Sequence, residues 1–550
     1  MKTPILALAA LLASTAAWAD TLVSNLNGIQ VAADGRIERF TGILIGNDGK
    51  VKRLLHGEML KLRDTDVVDA KGKTVLPGLI DAHGHVMALG FGALQLDLTG
   101  TSSLANLQQR LRDYAAANPQ TRWIIGRGWN QELWPVKAFP TAADLDAVVS
   151  DRPVVLRRVD GHALVANSAA MKLAGVSAAT RAPSGGRIEN GLFVDNAMEL
   201  IEAKVPAATP AEADAALAKA QEILLGFGLT AVADMGTSLA GWQAMIRAGE
   251  SGSLKIRLIG YADGLKAARG ITAEQPVLWR YDDRLRLAGV KLYADGALGS
   301  RGAWLKRPYA DKPDSRGLRF LSDAELRDQT NEASARGHQV AVHAIGDAAN
   351  AQVISVFEEM SRKWGPKRRW RIEHVQVIDP ADIPRLAKAG IIASMQPTHQ
   401  TSDRLMAEKR LDPPRLEGAY AWQTIARSGA RLAFGSDFPV ESPNPFPGLS
   451  AAISRQDMNG QPPGGWRPQE RVSLAQALDG FTRGAAYAGF AEDRIGSLEA
   501  GKWADFVIVD RDPTQIDAQA LGRTEVLETW VAGKRVHAKA ASGGSGERGR

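Results

Sequence analysis

Eight apolar runs separated by amphipathic helical stretches constrain this chain more than any other feature. They lie at 75–82 (VLPGLIDA), 229–235 (LTAVADM), 256–262 (IRLIGYA), 287–294 (LAGVKLYA), 339–345 (QVAVHAI), 370–375 (WRIEHV), 391–395 (IIASM) and 431–436 (RLAFGS). A strand that is apolar throughout, rather than at every second residue, is buried on both faces. Helices between such strands supply the cover, so a parallel sheet is expected. Eight of these units fit an α/β fold of the closed (β/α)8, TIM-like kind. An open doubly wound sheet is the competing arrangement, but no GxGxxG follows the first run.

The rest of the chain is organised around those runs. Short β segments fill 20–74 and recur over 491–540, and neither set makes a comfortable sheet alone. Together they are expected to build one small β-sandwich that brings the chain ends together. The barrel then occupies 75–490, with one connection far too long for a βα loop. Residues 100–205 are therefore read as a subdomain inserted after the first barrel strand, on the active-site face.

The first residues, MKTPILALAALLASTAAWAD, hold an early Lys2, a short apolar stretch and the Ala17-Trp18-Ala19 pattern of a cleavage site. The run is too short and Ala-rich for a membrane span, so 1–19 reads as a signal peptide cut after Ala19. A periplasmic or secreted protein with no stable membrane anchor is expected. The tail at 541–550, ASGGSGERGR, has the composition of a flexible segment. No cysteine occurs, which excludes disulfides and thiolate metal ligands. The net charge of +6 comes from basic residues scattered among acids. Even the densest basic run, 362–371, reads as a solvated loop, so no nucleic-acid partner is expected. A homodimer is the default assembly.

Polar residues fall at the carboxyl ends of the runs, where barrel enzymes keep their chemistry. His83 and His85 follow the first run; Lys291 lies in the fourth; His343 and His374 close the fifth and sixth; Asp437 follows the eighth. Residues i and i+2 of a strand share a face, so His83 and His85 are expected to point at one metal ion. Imidazole nitrogen with carboxylate oxygen suits zinc, with manganese, nickel or iron as alternatives. A lysine ammonium beside metal ions is driven towards the neutral amine by burial and nearby positive charge. A neutral amine can add carbon dioxide to become an anionic carbamate; the alternative is an unmodified Lys291 paired with Asp295 or another acid. Each of these residues alone is more often structural. Their joint placement on separate strands is what points to a metal site.

The stretches PGLIDAHGH (77–85), GVKLYADGALGSR (289–301), AVHAIGDAAN (341–350), RIEHVQ (371–376), MQPTHQTSD (395–403), GSDFPVE (435–441) and GSLEAGKWADFVIVD (496–510) resemble the amidohydrolase superfamily. The likeness is to its amidohydrolase-3, or YtcJ-like, branch, which includes N-substituted formamide deformylase. The resemblance implies two divalent metal ions of the zinc type. His83 and His85 would hold one, His343 and His374 the other, with carboxylated Lys291 bridging and Asp437 beside the nucleophile. A related pattern with a Cys ligand is closed to this chain. The implied reaction is hydrolysis of a C–N amide-type bond in a small molecule, with Asp437 carrying the proton. A mononuclear deaminase-type or cyclic-amide hydrolase, and an inactive periplasmic solute-binding barrel, are the competing readings. His399, Arg301, Asp295, His162 and Trp129 are candidates for substrate contact.

Overall fold

The computed structural model describes residues 19–540 apart from 59–64, Asp160, His162, Ala178, Ser184, Gly185 and Ala273. The expected leader over 1–19 (but for Ala19), the tail over 541–550 and the candidate His162 therefore lie outside the described residues.

The eight apolar runs form one parallel ladder: β1 (Leu79–Gly84), β2 (Leu229–Thr237), β3 (Arg257–Asp263), β4 (Leu285–Tyr293), β5 (Gln339–Ala344), β6 (Arg371–His374), β7 (Ile392–Met395) and β8 (Arg431–Phe434). Neighbours in sequence are neighbours in space, as right-handed βα crossovers require. The first and last strands meet at their carboxyl ends, where Asp437 N donates to His83 O at 2.7 Å and His85 N to Phe438 O at 2.9 Å. This is a nearly closed TIM-like barrel. Its burial matches the composition: every residue of β1, β6 and β7 is buried.

Two details depart from the sequence reading. The first apolar run is split between two sheets. Thr74–Pro77 pairs with Phe506–Val509 and Asn27–Val31 in a different sheet, and only Leu79–Gly84 belongs to the barrel. The step falls at Pro77-Gly78, because proline offers no N–H to a ladder and the site beside it admits no side chain. A Cβ on Gly78 would lie 2.2 Å from Thr230 Oγ1. The second departure is an extra strand, Val277–Arg280, which adds antiparallel to β4.

Strands from both chain ends share one six-stranded sheet, ordered 534–538, 526–531, 506–509, 74–77, 27–31, 37–40. A four-stranded sheet of 51–55, 42–45, 20–24 and 65–69 shares an apolar core with it, in which Phe506 and Trp530 stack at 5.1 Å. Arg257, at the start of β3, is fully buried and pairs bidentately with Asp505, at 2.6 and 2.9 Å. That ion pair fastens the barrel floor to the C-terminal strands.

Between β1 and β2 the chain builds another six-stranded sheet, ordered 186–189, 192–195, 163–166, 154–158, 124–129, 96–97, with an apolar core on each face. The helix α1 (Val86–Leu94) connects β1 to this sheet. Its first amide, on Val86, is capped from outside by Asp234 Oδ1 of β2 at 2.8 Å, which meets one of the unpaired donors of a helix start. Among the described residues, no helix is long and apolar enough to cross a membrane.

Candidate metal centre

The carboxyl ends of the barrel strands bring the six sequence candidates to one place. His83 and His85 approach the same carboxylate oxygen: Nε2 of each lies 3.5 Å and 3.0 Å from Asp437 Oδ1. The His374 ring is centred 4.7 Å from that of His83 and 4.5 Å from that of His343. Lys291 Nζ lies 3.3 Å from His83 Nε2. Ligand atoms of His83, His374 and Asp437 all fall within 4.8 Å of one another.

The backbone is unusual at two of these residues. His374 has φ +79° and Asp437 φ +60°, both in the left-handed region that side chains other than glycine rarely adopt. Such conformations concentrate where the surrounding fold forces a functional side chain into place. At Asp437 the forcing groups are visible. Asp81 of β1 accepts from Ser436 Oγ at 2.6 Å and from the Ser436 amide, while its Oδ1 also takes the His83 amide at 2.9 Å. Gly435 permits that approach, since a Cβ there would meet Asp81 Oδ1 at 2.4 Å. One carboxylate thus positions both His83 and the turn that carries Asp437.

Hydrogen bonds on the outer ring nitrogens set the tautomers. His83 Nδ1 donates to Glu373 Oε2 at 2.7 Å, and His374 Nδ1 donates to Gln396 Oε1 at 2.8 Å. In each neutral ring, Nε2 is then a bare lone pair facing the centre. Burial keeps these rings neutral. It lowers His83 to about 4 and His343 to about 3, with the Lys291 charge adding to both, and holds His374 well below its ordinary value. Burial works against the Asp437 carboxylate, but the hydrogen bond that His85 donates to it counters the cost, and the group stays well below the usual carboxylate range. Neutral imidazole lone pairs therefore face an anionic oxygen, and His343 Nε2 is buried without a hydrogen bond, 3.6 Å from Asp295 Oδ1. Donors gather this way around a cation, so the residues fit a divalent metal.

Glu373 is itself buried and takes two donors from Arg371, at 2.8 and 3.1 Å. Arg371 also reaches Ala82 O, Ser394 Oγ and Tyr261 Oη inside the barrel. This network lies beneath the histidines and was not singled out from sequence. The signal was present: Arg371 and Glu373 are charges at i and i+2 inside an apolar run, so they share the inward face. Gln376, Gln396, Asp81 and Asp234 were missed as well, because amides and lone acids carry no pattern of their own.

Lys291 is 1% exposed, and burial lowers it to about 8. It does not pair with Asp295, which spends its carboxylate on the backbone amides of Trp304, Ile345 and Gly346. Asp295 thus fastens the loop after β4 to β5, and its Oδ1 also lies 3.6 Å from His343 Nε2. Arg301, on the same loop, is tied to Asp311 at 2.8 Å. Trp129 is fully buried in the core of the inserted sheet, and its indole N–H is donated to Leu156 O. Its apolar bulk is core packing, which corrects the expectation of a ligand contact. His399 does reach the centre: its Nε2 lies 3.8 Å from Asp437 Oδ2, while Gln376 donates to its Nδ1 at 3.0 Å.

A barrel of eight parallel strands with this donor set at its carboxyl end defines a metal-dependent hydrolase of the amidohydrolase superfamily. The model of the family described as "Amidohydrolase family" matches residues 66–537, and the chain belongs to that family. It is 32% identical over 495 residues to the putative amidohydrolase YtcJ of Bacillus subtilis, covering 86% of this chain and 91% of that one. It is 27% identical over 492 residues to the N-substituted formamide deformylase of Arthrobacter pascens, covering 86% and 89%. Among solved structures, an uncharacterized metal-dependent hydrolase from Pyrococcus horikoshii superposes with a TM-score of 0.78 at 28% identity, covering 91% of this chain and 99% of that one.

Proposed function

We propose that the chain hydrolyses a C–N amide-type bond in a small molecule, not peptide bonds of proteins. One observation carries this reading: the unprotonated Nε2 of His83 lies 3.5 Å from Asp437 Oδ1 and 3.3 Å from Lys291 Nζ at the carboxyl end of the barrel. The likeness to a formamide deformylase supports the bond type. Two divalent ions, zinc by donor preference, would be held by His83 and His85, by His343 and His374, and by Asp437 and carboxylated Lys291 between them. When bound they supply Lewis acidity, which activates water and polarises a carbonyl.

The chain's own residues do the remaining work. Asp437, anionic at neutral pH, takes a proton from the attacking water and delivers it to the departing nitrogen. His399 carries its proton on Nε2, because Nδ1 accepts from Gln376. That N–H is placed to meet the oxygen on which charge develops. Lys291, lowered to about 8, supplies neutral amine at mild pH. Its nitrogen can bond to carbon dioxide and release one proton, which leaves an anionic carbamate. The apolar N-terminal stretch supports export to the periplasm or beyond.

Only His83, His374 and Asp437 converge within 4.8 Å among the described residues. That favours, as a second reading, a mononuclear deaminase-type or cyclic-amide hydrolase with unmodified Lys291. Metal counting by mass spectrometry, with a hydrolysis screen of N-formyl, N-acyl and cyclic amides, separates the readings. Two ions per chain with turnover are expected, and Asp437→Asn serves as the inactive blank. One ion with turnover selects the mononuclear enzyme. No metal and no turnover would leave an inactive solute-binding barrel.

A further inference from the structure

A cleft of about 610 Å³ lies between the barrel mouth and the inserted sheet. On the barrel side it is walled by Ala88 and Phe91 of α1, one turn apart, and by Pro439 and Val440. The Val440 amide donates to Asp437 O at 2.9 Å, so this wall begins within one turn of the carboxylate assigned to proton transfer. Val440 is 69% exposed, a large apolar side chain facing open space. On the insert side, strands 124–129 and 154–158 run parallel, with Ile125 opposite Val155 and Arg127 opposite Arg157. All four line the cleft.

Two arginines directly opposite on one face repel each other. Arg157 answers this through an ion pair with Glu202 at 2.7 Å. Arg127 does not. Among the described residues its guanidinium has no hydrogen-bond, ion-pair or ring partner. Asp97 flanks it on the other side in register, yet places Oδ1 on the Thr99 amide and makes no ion pair with it. Arg158 is different again, being held by Gln131 and Asn130. The cleft therefore combines apolar walls with one uncommitted planar cation.

We propose that this cleft is a substrate subsite for an amide whose apolar body ends in a carboxylate, and that Arg127 receives that carboxylate. The pairing follows from shape and charge. A guanidinium fork matches a carboxylate bidentately, and a single uncommitted cation balances a single negative charge. The inference rests on the hydrolase reading only for the scissile bond; recognition of the carboxylate is a binding property with its own test.

Titration calorimetry of the full chain at low salt, with 4-phenylbutyrate and its neutral counterpart 4-phenylbutanamide, tests it without turnover. The carboxylate is expected to bind about tenfold more tightly than the amide, the scale of a charge-assisted hydrogen bond. Arg127→Gln is expected to abolish that preference and Arg127→Lys to retain part of it, with thermal unfolding unchanged because the side chain is exposed. Raising the salt should narrow the gap. Equal binding of the two probes to the intact chain overturns the proposal. So does a preference that survives in Arg127→Gln, which would place the carboxylate on the metal centre instead. Absence of amide hydrolysis with the preference intact would overturn the hydrolase reading alone.

Discussion

Glu373 Oε2 lies 2.7 Å from Nδ1 of His83, with both side chains fully sealed from solvent. That contact fixes which ring nitrogen faces the metal site. It also joins the site to a buried guanidinium, since Arg371 holds the same carboxylate with two hydrogen bonds.

Glu373→Gln keeps the shape and removes the charge. Arg371 is then a buried cation without a counter-ion, so unfolding in urea should show a loss of about 3–5 kcal/mol. Metal affinity, read by competition with a chelator, should fall by ~10–100-fold, the usual effect of losing an outer partner of a ligating histidine. Unchanged stability and unchanged affinity together would refute the role given to this pair.

Acid should act on the metal-free protein through two sets of buried groups, histidines and acids, that pull in opposite directions. His83 and His343 are lowered to about 4 and about 3, and His374 lies well below its ordinary value. Between pH 6.5 and 4.5 the unfolded chain therefore binds protons that these folded rings refuse, a contribution that makes stability rise with pH, while Asp81 and Asp295, raised to about 7 by burial, take up protons in the folded chain first and contribute the opposite slope. Each histidine contributes up to about 1.4 kcal/mol per pH unit. NMR titration of the ring protons in the folded, metal-free chain checks the histidine part; rings that take up a proton above pH 6 would show that they are not held neutral. Loaded metal should steepen the dependence, because its release is coupled to proton uptake.

Lys291→Ala leaves space where the proposed carbamate would sit. Bound metal and turnover should both drop, affinity by at least ~10–100-fold if the bridge is a ligand. Millimolar acetate or propionate should restore part of both by supplying the missing carboxylate. Full activity of Lys291→Ala without any added acid would remove the bridge from the mechanism.

Asp505→Ala lies far from the chemistry and should be felt in stability instead. It leaves Arg257 buried and unpaired, and it removes the acceptor of the Ala532 amide. A cost of about 3–5 kcal/mol is expected from the stranded cation. Thermal unfolding by calorimetry measures it. A second, separate transition in the variant would show that the C-terminal strands had come loose from the barrel.

Much of this was legible in the chain because the signals were periodic or spaced. Eight apolar runs named the barrel strands, and the spacing of His83 and His85 named the face they share. The hand-over at Pro77-Gly78 was not legible, because one unbroken apolar run serves two sheets and only the Pro-Gly step divides it. Trp129 misled for a related reason: an aromatic residue reads alike in a pocket and in a core, and here its N–H is spent on Leu156 O. Asp295 was legible from its place after β4, but not that its oxygens would take three backbone amides while one of them lies 3.6 Å from His343 Nε2. Glu373 and Arg371 were visible as charges inside a strand, but sequence alone does not tell which buried charge supports which ligand.

His374 and Asp437 occupy backbone conformations in which glycine would be more comfortable, by roughly 1–2 kcal/mol at each position. A selection for durability alone would drift towards glycine at both. The chain keeps an imidazole and a carboxylate there, so part of its robustness is given up to hold its reagents, and a screen for thermally hardened variants should be expected to return inactive ones at these two positions.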